Sequence, residues 1–290
     1  MYRPAALLII GSLVSLSAVK VEDLGGRVER DAAGQIVGLH LRASWVTDGD
    51  LLEVARLPQL QRLDLSQTRI TDQGLAFLKP ATNLREVNLA YAEKIGDPAH
   101  AVVKQWKNLR RLNLRGTLIS DETAAAAAAL PQLEFLDIAD SIVGDFGVDA
   151  LTAAQHLKEL SMGNIRMSEA GFQSLREFTS LLHLDLSGKR HGAPSKISQR
   201  GVEAIASLRQ LHSLRMGHTA FADKSLAILG TMPALEQLGL EFCPDVADAA
   251  LPSLTAWKSL RRVDLHGTKV TAEGVAGLRK ARPDMQVLWE

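Results

Sequence analysis

Apolar and polar residues recur in one pattern along most of the chain, with a period of about 24 residues, as in solenoid repeats. The block LQRLDLSQTRITDQGLAFLKPATN begins at Leu60, and related blocks follow from Leu84 and Leu109. Ten copies begin at Ile36, Leu60, Leu84, Leu109, Leu133, Leu157, Leu181, Leu211, Leu235 and Leu260, and a half-copy, MQVLW, begins at Met285. The spacing is nearly uniform, and only the step from Leu181 to Leu211 is clearly longer. Such a period predicts stacked repeats that share one continuous core.

Each copy has two halves with different apolar spacing. The first half, LxxLxL, places apolar residues at alternate positions and predicts a short half-buried strand. The second half begins with Thr or Ser followed by Asp, as at Thr71 and Asp72, and continues with apolar residues at helical spacing. Threonine suits a helix N-cap, and aspartate in the first turn favours the helix dipole. The pattern therefore predicts a parallel sheet on one face of the molecule and helices on the other.

The ninth position of the copies carries a small polar side chain or cysteine: Thr68, Thr117, Ser141, Thr219, Cys243 and Thr268. With the I-T-D-x-G-L pattern that follows Arg69, residues 36–288 resemble the leucine-rich repeat family, in particular its cysteine-containing subclass. The stretches at 24–39 and 281–289 resemble the ends of bacterial, planctomycete-type members. The resemblance implies a right-handed α/β solenoid of about ten repeats, shaped as a horseshoe, that binds other proteins. The F-box of some relatives does not fit between residues 17 and 36, so their ubiquitin-ligase function is not implied.

The start of the chain has the features of a secretory signal. Arg3 precedes an apolar and small-residue run over residues 5–19. Fifteen helical residues reach only about 22 Å, which is short of a bilayer core of roughly 30 Å. We therefore predict a signal peptide at 1–17, a capping segment at 18–35 and a repeat domain at 36–290. The expected location is secreted or periplasmic, with an uncleaved N-terminal anchor as the alternative.

Composition narrows the function classes. The 290 residues include 33 basic and 33 acidic side chains, and 46% of the chain is apolar. This balance indicates an ordinary globular protein and argues against nucleic-acid binding, which usually requires a basic excess. The single cysteine, Cys243, excludes an intrachain disulfide and a cysteine-based metal cluster. We expect no cofactor and a monomer.

Most residues that suggest chemistry recur with the repeat. Aspartates such as Asp72 and Asp121 are interpreted as helix starts, and glycines such as Gly74 and Gly147 as sites where a helix lies close to the sheet. Cys243 is predicted to be a packed thiol. Trp106 and Trp257, at matching positions near repeat ends, are predicted to lie in the core.

One strand, HLDLS, contains His183, Asp185 and Ser187, the residue types of a serine hydrolase. Strand alternation would place the three on one face, roughly 7 Å apart in succession. A hydrolase also needs hydrogen-bond contact and an oxyanion hole, which a flat strand does not supply. We therefore keep a hydrolase using Ser187 as a minor alternative. A zinc site from the four histidines expected on that face is disfavoured because they lie on different strands: His40, His183, His218 and His266.

The variable positions of LxxLxL should project from the concave face of the sheet and form the partner-binding site. Tyr91 and Phe135 are the first candidates, because the repeat itself gives no structural reason for an exposed aromatic side chain there. The predicted contact residues are Tyr91, Arg111, Arg115, Phe135, Glu159, His183 and Arg215.

The repeat that begins at Leu181 is longer than the others because it carries an insertion within GKRHGAPSK, between its strand and its helix. Insertions in solenoids often lie beside the binding face. Lys189, Arg190 and His191 make this loop basic and form a second predicted contact site. The sequence predicts an exported, non-catalytic protein-interaction module, with binding of a glycan or envelope polymer as the alternative.

Overall fold

A computed structural model describes residues 24–189, 193–221 and 224–290. The predicted signal peptide, residues 18–23 of the predicted capping segment, and Arg190 and His191 of the predicted loop site lie outside the described residues. Fourteen short strands occur in the described part. They are β1 (Arg27–Arg30), β2 (Ile36–His40), β3 (Arg62–Asp64), β4 (Glu86–Asn88), β5 (Arg111–Asn113), β6 (Phe135–Asp137), β7 (Glu159–Ser161), β8 (His183–Asp185), β9 (Ser195–Lys196), β10 (Ser213–Arg215), β11 (Thr219–Ala220), β12 (Gln237–Gly239), β13 (Arg262–Asp264) and β14 (Gln286–Leu288).

Twelve of these strands form one sheet in which neighbours in space are neighbours in the repeat order. From β2 to β14 all pairs in this sheet are parallel, and β1 pairs antiparallel with β2 at the N-terminal edge. The two remaining strands, β9 and β11, pair with each other. β9 lies at the end of the insertion, so the inserted residues lead into a second, smaller sheet.

A helix follows each strand from β2 to β13 of the large sheet and returns the chain to the start of the next strand. The helices are α1 (Leu51–Val54), α2 (Asp72–Ala76), α3 (His100–Val103), α4 (Asp121–Ala128), α5 (Asp145–Leu151), α6 (Glu169–Ser174), α7 (Gln199–Ala206), α8 (Ser225–Leu229), α9 (Leu251–Ala256) and α10 (Ala272–Ala281). Short 3-10 turns precede α1, α3 and α9 and follow α6. The predicted α/β repeat solenoid is confirmed.

The core is a continuous layer between the sheet and the helices. Leu63 and Leu65, the second and third leucines of LxxLxL, are both buried, and the same is true in the other repeats. Trp106 and Trp257 are also buried, as predicted, and the Trp106 Nε1–H donates to the carbonyl of Leu78 at 3.1 Å. Each repeat therefore contributes one slice of a single core.

The aspartates at six of the helix starts have a role beyond the one expected. The Asp97 carboxylate accepts hydrogen bonds from the backbone N–H of Ser120 at 2.7 Å and from its hydroxyl at 2.5 Å. The Asp48 carboxylate likewise accepts hydrogen bonds from the backbone N–H and the hydroxyl of Thr71, which is the equivalent residue of the next repeat. The equivalent bonds join Asp72 to Gly96, Asp121 to Gly144, Asp145 to Ser168, and Asp248 to Thr271. We call this series the carboxylate ladder: each aspartate satisfies the helix cap of the following repeat.

The recurring glycines in the helices have a different cause from the one predicted. A Cβ atom on Gly74 would overlap Oδ1 of Asp48 and lie 2.8 Å from its Cα. At Gly147 the first atom met would be Oδ1 of Asp121, at 2.6 Å. The close approach is therefore to the start of the preceding helix, not to the sheet, and it makes room for the carboxylate ladder.

The final half-repeat is in a slightly different register from the one expected. Gln286 pairs with Arg262, which is the third residue of its repeat. The half-repeat therefore begins at Asp284, and Met285 occupies its second position. Met285 is buried and Trp289 packs against the core. β14 is thus the last strand of the sheet, and Met285 and Trp289 cover the apolar core at this end.

Candidate partner-binding face

Side chains at the third and fifth positions of each repeat point away from the helices, on what we call the open sheet face. The strand register places equivalent positions side by side, with neighbouring strands about 4.8 Å apart. Arg111 pairs with Phe135, Phe135 with Glu159, and Glu159 with His183. Four of the predicted contact residues therefore occupy consecutive positions in one row.

Three side chains of this row form one unit. The Arg111 guanidinium carbon lies 4.0 Å from the centre of the Phe135 ring, which is a cation–π contact. Nη1 of Arg111 is 3.4 Å from a carboxylate oxygen of Glu159. Phe135 is consequently half-buried under Arg111. The structure adds a contact with Arg111 that the repeat pattern alone does not predict, and Phe135 stays a predicted contact residue.

A depression of 280 Å³ opens beside this unit, over the first five repeats. Its lining includes Arg62, Glu86, Asn88, Asn113 and Phe135. Oδ1 of Asn88 accepts the N–H of Ala90 at 3.0 Å, and Oδ1 of Asn113 accepts the N–H of Arg115 at 3.0 Å. The two amide NH₂ groups make no hydrogen bond within the described residues, so they remain available as donors.

The sequence did not single out these two asparagines as contact residues. The signal is the fifth position of LxxLxL, where a short side chain with an oxygen can accept the N–H of the seventh residue. Asp64, Asp137, Asp185 and Asp264 make the same bond in other repeats. Only asparagine leaves a donor facing outward after this bond has formed.

The guanidinium of Arg115 is bound to three neighbouring side chains of the protein. Its Nε lies 3.0 Å from Oδ2 of Asp137, its Nη1 3.0 Å from Oδ2 of Asp140, and its Nη2 donates to Ser161 Oγ at 2.9 Å. Burial raises the pKa of the Asp137 carboxyl, although Arg115 opposes that rise. A partner would have to compete with these bonds, so the structure gives Arg115 a role in ordering the face.

Tyr91 lies at the edge of the open sheet face, in the left-handed backbone region with φ 59°. The residue is 43% exposed, and its ring lies against Gly116, where a Cβ would be 2.5 Å from the ring. Gly116 therefore gives Tyr91 a contact that the pattern of a single repeat does not predict, and Tyr91 stays a predicted contact residue. Tyr91 also lines a shallow depression of 670 Å³ with Gln67, Arg69 and Lys94.

Arg215 lies further along the solenoid, apart from the Arg111 unit. Its Nη2 donates to Oε1 of Glu241 at 2.9 Å, and this bond raises the pKa of Arg215. The second carboxylate oxygen of Glu241 is buried and has no hydrogen-bond partner among the described residues. The carboxylate fits there because Gly217 has no side chain: a Cβ on Gly217 would be 2.5 Å from Cδ of Glu241.

Comparison with known proteins identifies the repeat. The family model described as "Leucine Rich repeat" matches residues 57–79. An internalin from Listeria monocytogenes is 17% identical, with 96% of this chain and 88% of that one aligned at a TM-score of 0.57. The chain therefore contains a leucine-rich repeat and shares the fold of leucine-rich repeat proteins.

Two further proteins are similar to this chain over part of their own length. The ectodomain of the Arabidopsis receptor kinase HAESA, solved with an IDA peptide hormone ligand, is 18% identical with a TM-score of 0.63, over 89% of this chain and 46% of HAESA. A Trypanosoma equiperdum protein named "Putative adenylate cyclase regulatory protein" is 25% identical over 174 residues, 60% of this chain and 26% of that protein. The chain thus spans about a quarter of the trypanosome relative.

The residues of HLDLS do not assemble as a catalytic triad. The backbone N–H of Ser187 donates to Oδ1 of Asp185 at 2.9 Å. The Ser187 hydroxyl is buried without a partner, and no hydrogen bond joins it to His183 within the described ranges. The geometry that a serine nucleophile needs is therefore not formed here.

The histidines considered above for zinc make other contacts. The His218 ring stacks on Phe242 with centroids 4.8 Å apart, and Nδ1 of His266 is 2.6 Å from a carboxylate oxygen of Asp264. Nε2 of His40 lies 3.7 Å from Glu29. Across residues 24–189, 193–221 and 224–290, no three His, Cys, Asp or Glu side chains are grouped as metal ligands.

The predicted loop site is described only in part. Lys189 is exposed, and Lys196 lies in β9, paired with Ala220 of β11. The insertion thus leads into the edge of the solenoid beyond the strand ends. Binding by Lys189, Arg190 and His191 stays a prediction.

Cys243 occupies the ninth position of its leucine-rich repeat, where other repeats carry Thr or Ser. Its Sγ donates to the carbonyl of Met216 at 3.1 Å, and the residue is buried, as predicted. Burial raises the pKa of the Cys243 thiol to about 11. At pH 7 about one thiol in ten thousand is therefore ionised.

We expect iodoacetamide to alkylate Cys243 at least about 100-fold more slowly in the folded protein than in 8 M urea, because both access and ionisation are suppressed. The folded-state rate should rise as the pH approaches the raised pKa. Mass spectrometry of timed samples measures both rates. Equal rates in the two states would contradict a packed thiol.

Proposed function

We propose that this leucine-rich repeat protein is an exported, non-catalytic binding protein whose open sheet face takes a protein partner. The observation that carries the proposal is the Arg111–Phe135–Glu159 unit beside the depression of 280 Å³. Arginine and aromatic side chains with exposed area are the residue types that most often anchor protein interfaces. Their fixed positions on a sheet lower the entropy lost on binding.

The chemistry of the face supports a partner with mixed polarity. Nη2 of Arg62 lies 2.6 Å from Oε1 of Glu29, and this ion pair lowers the pKa of the Glu29 carboxyl. Arg111 and Glu159 are only loosely paired, at 3.4 Å, so each retains capacity for a partner group. The NH₂ groups of Asn88 and Asn113 add two donors that suit main-chain carbonyls of a partner.

Relatives with this fold support a protein or peptide ligand. HAESA was solved with a peptide hormone bound, and about half of its length aligns with this chain. Export rests on the sequence of residues 1–19, with its basic residue and apolar run. In the described part of the chain, no helix combines the length and apolar character needed to cross a membrane.

The test is affinity capture from the native envelope extract with three forms of the protein: wild type, Arg111→Ala/Phe135→Ala, and Arg262→Ala/Gln237→Ala. The control pair lies in the same row at the other end of the sheet, on adjacent strands β12 and β13. We expect the first pair to weaken binding of the captured partner about 30-fold or more, since it removes both anchors. The control pair should change the Kd less than about threefold.

Two results would overturn the proposal. One is a partner that binds wild type and the Arg111→Ala/Phe135→Ala variant equally, because the face would then not be the site. The other is a ligand that survives protease treatment and is removed by glycosidase, because the partner would then be a glycan.

A further inference from the structure

A second row of backbone hydrogen bonds follows one edge of the solenoid, between the strand turns and the helix starts. The N–H at the tenth position of a repeat donates to a carbonyl of the preceding repeat, as from Leu118 to Ile95 at 2.8 Å and from Ile142 to Ile119 at 3.1 Å. Arg166 and Lys269 make the same bond, to Val143 and Val246. We call this edge the helix-start rim.

Large apolar side chains are exposed on the helix-start rim. Leu118 is 56% exposed and Ile142 45%, and they are neighbours in the rim ladder. Phe146, in the first turn of α5, is 84% exposed, and Trp45, at the tenth position of the first repeat, is 79% exposed. Exposed apolar side chains grouped in this way mark a contact surface.

Cations without ion-pair partners flank these apolar residues. Arg69 and Lys94 lie on the N-terminal side of Leu118, and Arg166, Lys196 and Lys269 lie beyond Ile142. All five are exposed, and none makes an ion pair within the described residues. By contrast, Arg62, Arg111, Arg115 and Arg215 on the open sheet face each lie near a carboxylate, although Arg262 on that face makes no ion pair among the described residues.

The acids near the rim offset these cations only in part. Glu93 and Asp245 are exposed in the same turns. The aspartates of the carboxylate ladder also lie at this rim, at the helix starts, but each accepts hydrogen bonds from the following repeat, as Asp97 does from Ser120. The turns of the rim therefore present more unpaired cations than unpaired acids.

The chain also joins this rim at its N-terminal side. The N–H of Trp45 donates to the carbonyl of Leu24 at 3.2 Å, so Leu24 takes the place that a preceding repeat has elsewhere in the rim ladder. The apolar run at residues 5–19 is therefore connected to the solenoid at the helix-start rim, through residues 20–23.

We propose that the helix-start rim docks on an anionic membrane surface. Trp45, Leu118, Ile142 and Phe146 would enter the boundary between headgroups and acyl chains, where tryptophan and other large apolar side chains are favoured. The unpaired cations would contact lipid phosphates, each contributing through the negative surface potential. The open sheet face points elsewhere and stays free for a protein partner.

A membrane fits these observations better than an acidic protein for two reasons. The rim residues extend from the first repeat to the tenth, a length of roughly 45 Å at about 4.8 Å per strand. A flat lipid surface contacts such a line without matching its shape. In the uncleaved form of the chain, the covalent connection to an apolar run at the same rim is a second, independent observation.

The test is flotation of the full chain with vesicles of phosphatidylcholine alone or with 30 mol% phosphatidylglycerol, at low and high salt. Wild type should bind the anionic vesicles and dissociate as salt rises, because the Debye length shortens. Arg166→Glu/Lys269→Glu should lower the partition coefficient at least about 25-fold, since each cation near the surface accounts for about fivefold. Ile142→Ser/Phe146→Ser should lower it at least about tenfold.

Matched controls place the same changes elsewhere. Arg85→Glu/Lys107→Glu changes the same charges away from the rim, before β4 and β5, and Leu52→Ser/Phe77→Ser removes one aliphatic and one aromatic side chain at the convex helices. Both should bind like wild type. The proposal fails if wild type does not float, if it binds neutral and anionic vesicles equally, or if the rim variants match their controls. The last result would assign all membrane binding to residues 5–19.

Discussion

The Trp106→Ala variant should unfold with a free energy about 3–5 kcal/mol below that of wild type. Trp106 has no exposed surface, and its Nε1–H satisfies the buried carbonyl of Leu78 at 3.1 Å. Alanine would leave a cavity of indole size and an unpaired acceptor. Since each repeat packs only on its neighbours, the loss should be concentrated in the repeats that begin at Leu60, Leu84 and Leu109.

Urea unfolding followed by circular dichroism measures the change, and hydrogen exchange shows which repeats lose protection. Trp45→Ala is the matched control, because Trp45 is 79% exposed. It should change the free energy of unfolding by less than about 0.5 kcal/mol. A Trp106→Ala loss below about 1 kcal/mol would contradict the packing described here.

Replacing Gly74 with alanine should destabilise the protein by about 2–4 kcal/mol, against the usual preference for alanine in a helix. The new Cβ would lie 2.8 Å from the Cα of Asp48, which is backbone and cannot rotate away. Asp48 is itself fixed by its bonds to the N–H and hydroxyl of Thr71. The substitution therefore has to separate two repeats or break one step of the carboxylate ladder.

Gly277→Ala is the matched control for this prediction. Gly277 also lies in a helix, α10, but a Cβ there would meet no atom within 4 Å. The same substitution should stabilise the protein by about 0.5–1 kcal/mol, because alanine loses less backbone entropy on folding. The midpoint temperature of thermal unfolding should fall for Gly74→Ala and rise for Gly277→Ala. Stabilisation by both would show that the helices do not pack as described.

The fold could be predicted because one short pattern carries it. LxxLxL states which residues are buried, and its recurrence in ten copies sets the order and register of the strands. The sequence could not show what each glycine meets. Gly74 and Asp48 belong to successive repeats, and only the stacking of whole repeats brings them together.

The candidate site was predicted in part. The register follows from the repeat phase, and it correctly places Arg111, Phe135, Glu159 and His183 side by side. The choice of contact for each long side chain does not follow from register. Arg111, in β5, lies over Phe135. Arg115 follows β5 in the same repeat, but its guanidinium binds oxygens of Asp137, Asp140 and Ser161 in the following repeats.

The exposure of aromatic residues was the least predictable feature. The Tyr91 ring lies against Gly116, which is one repeat further along. The ring can occupy this position only because Gly116 has no side chain. The pattern within a single repeat contains no such information. Pairs of equivalent positions in successive repeats are the unit that has to be compared.

The carboxylate ladder gives the array a direction. Because Asp48 caps the helix of Thr71 and Asp97 that of Ser120, each unit that contributes to the ladder completes the one after it and receives no cap acceptor from it. Shortening the array from its C-terminus would leave every remaining ladder bond intact. Shortening it from its N-terminus would leave the first remaining cap without one. The molecule is thus polar in the sense that a growing filament is polar, with one end able to accept an added unit and the other requiring a dedicated start.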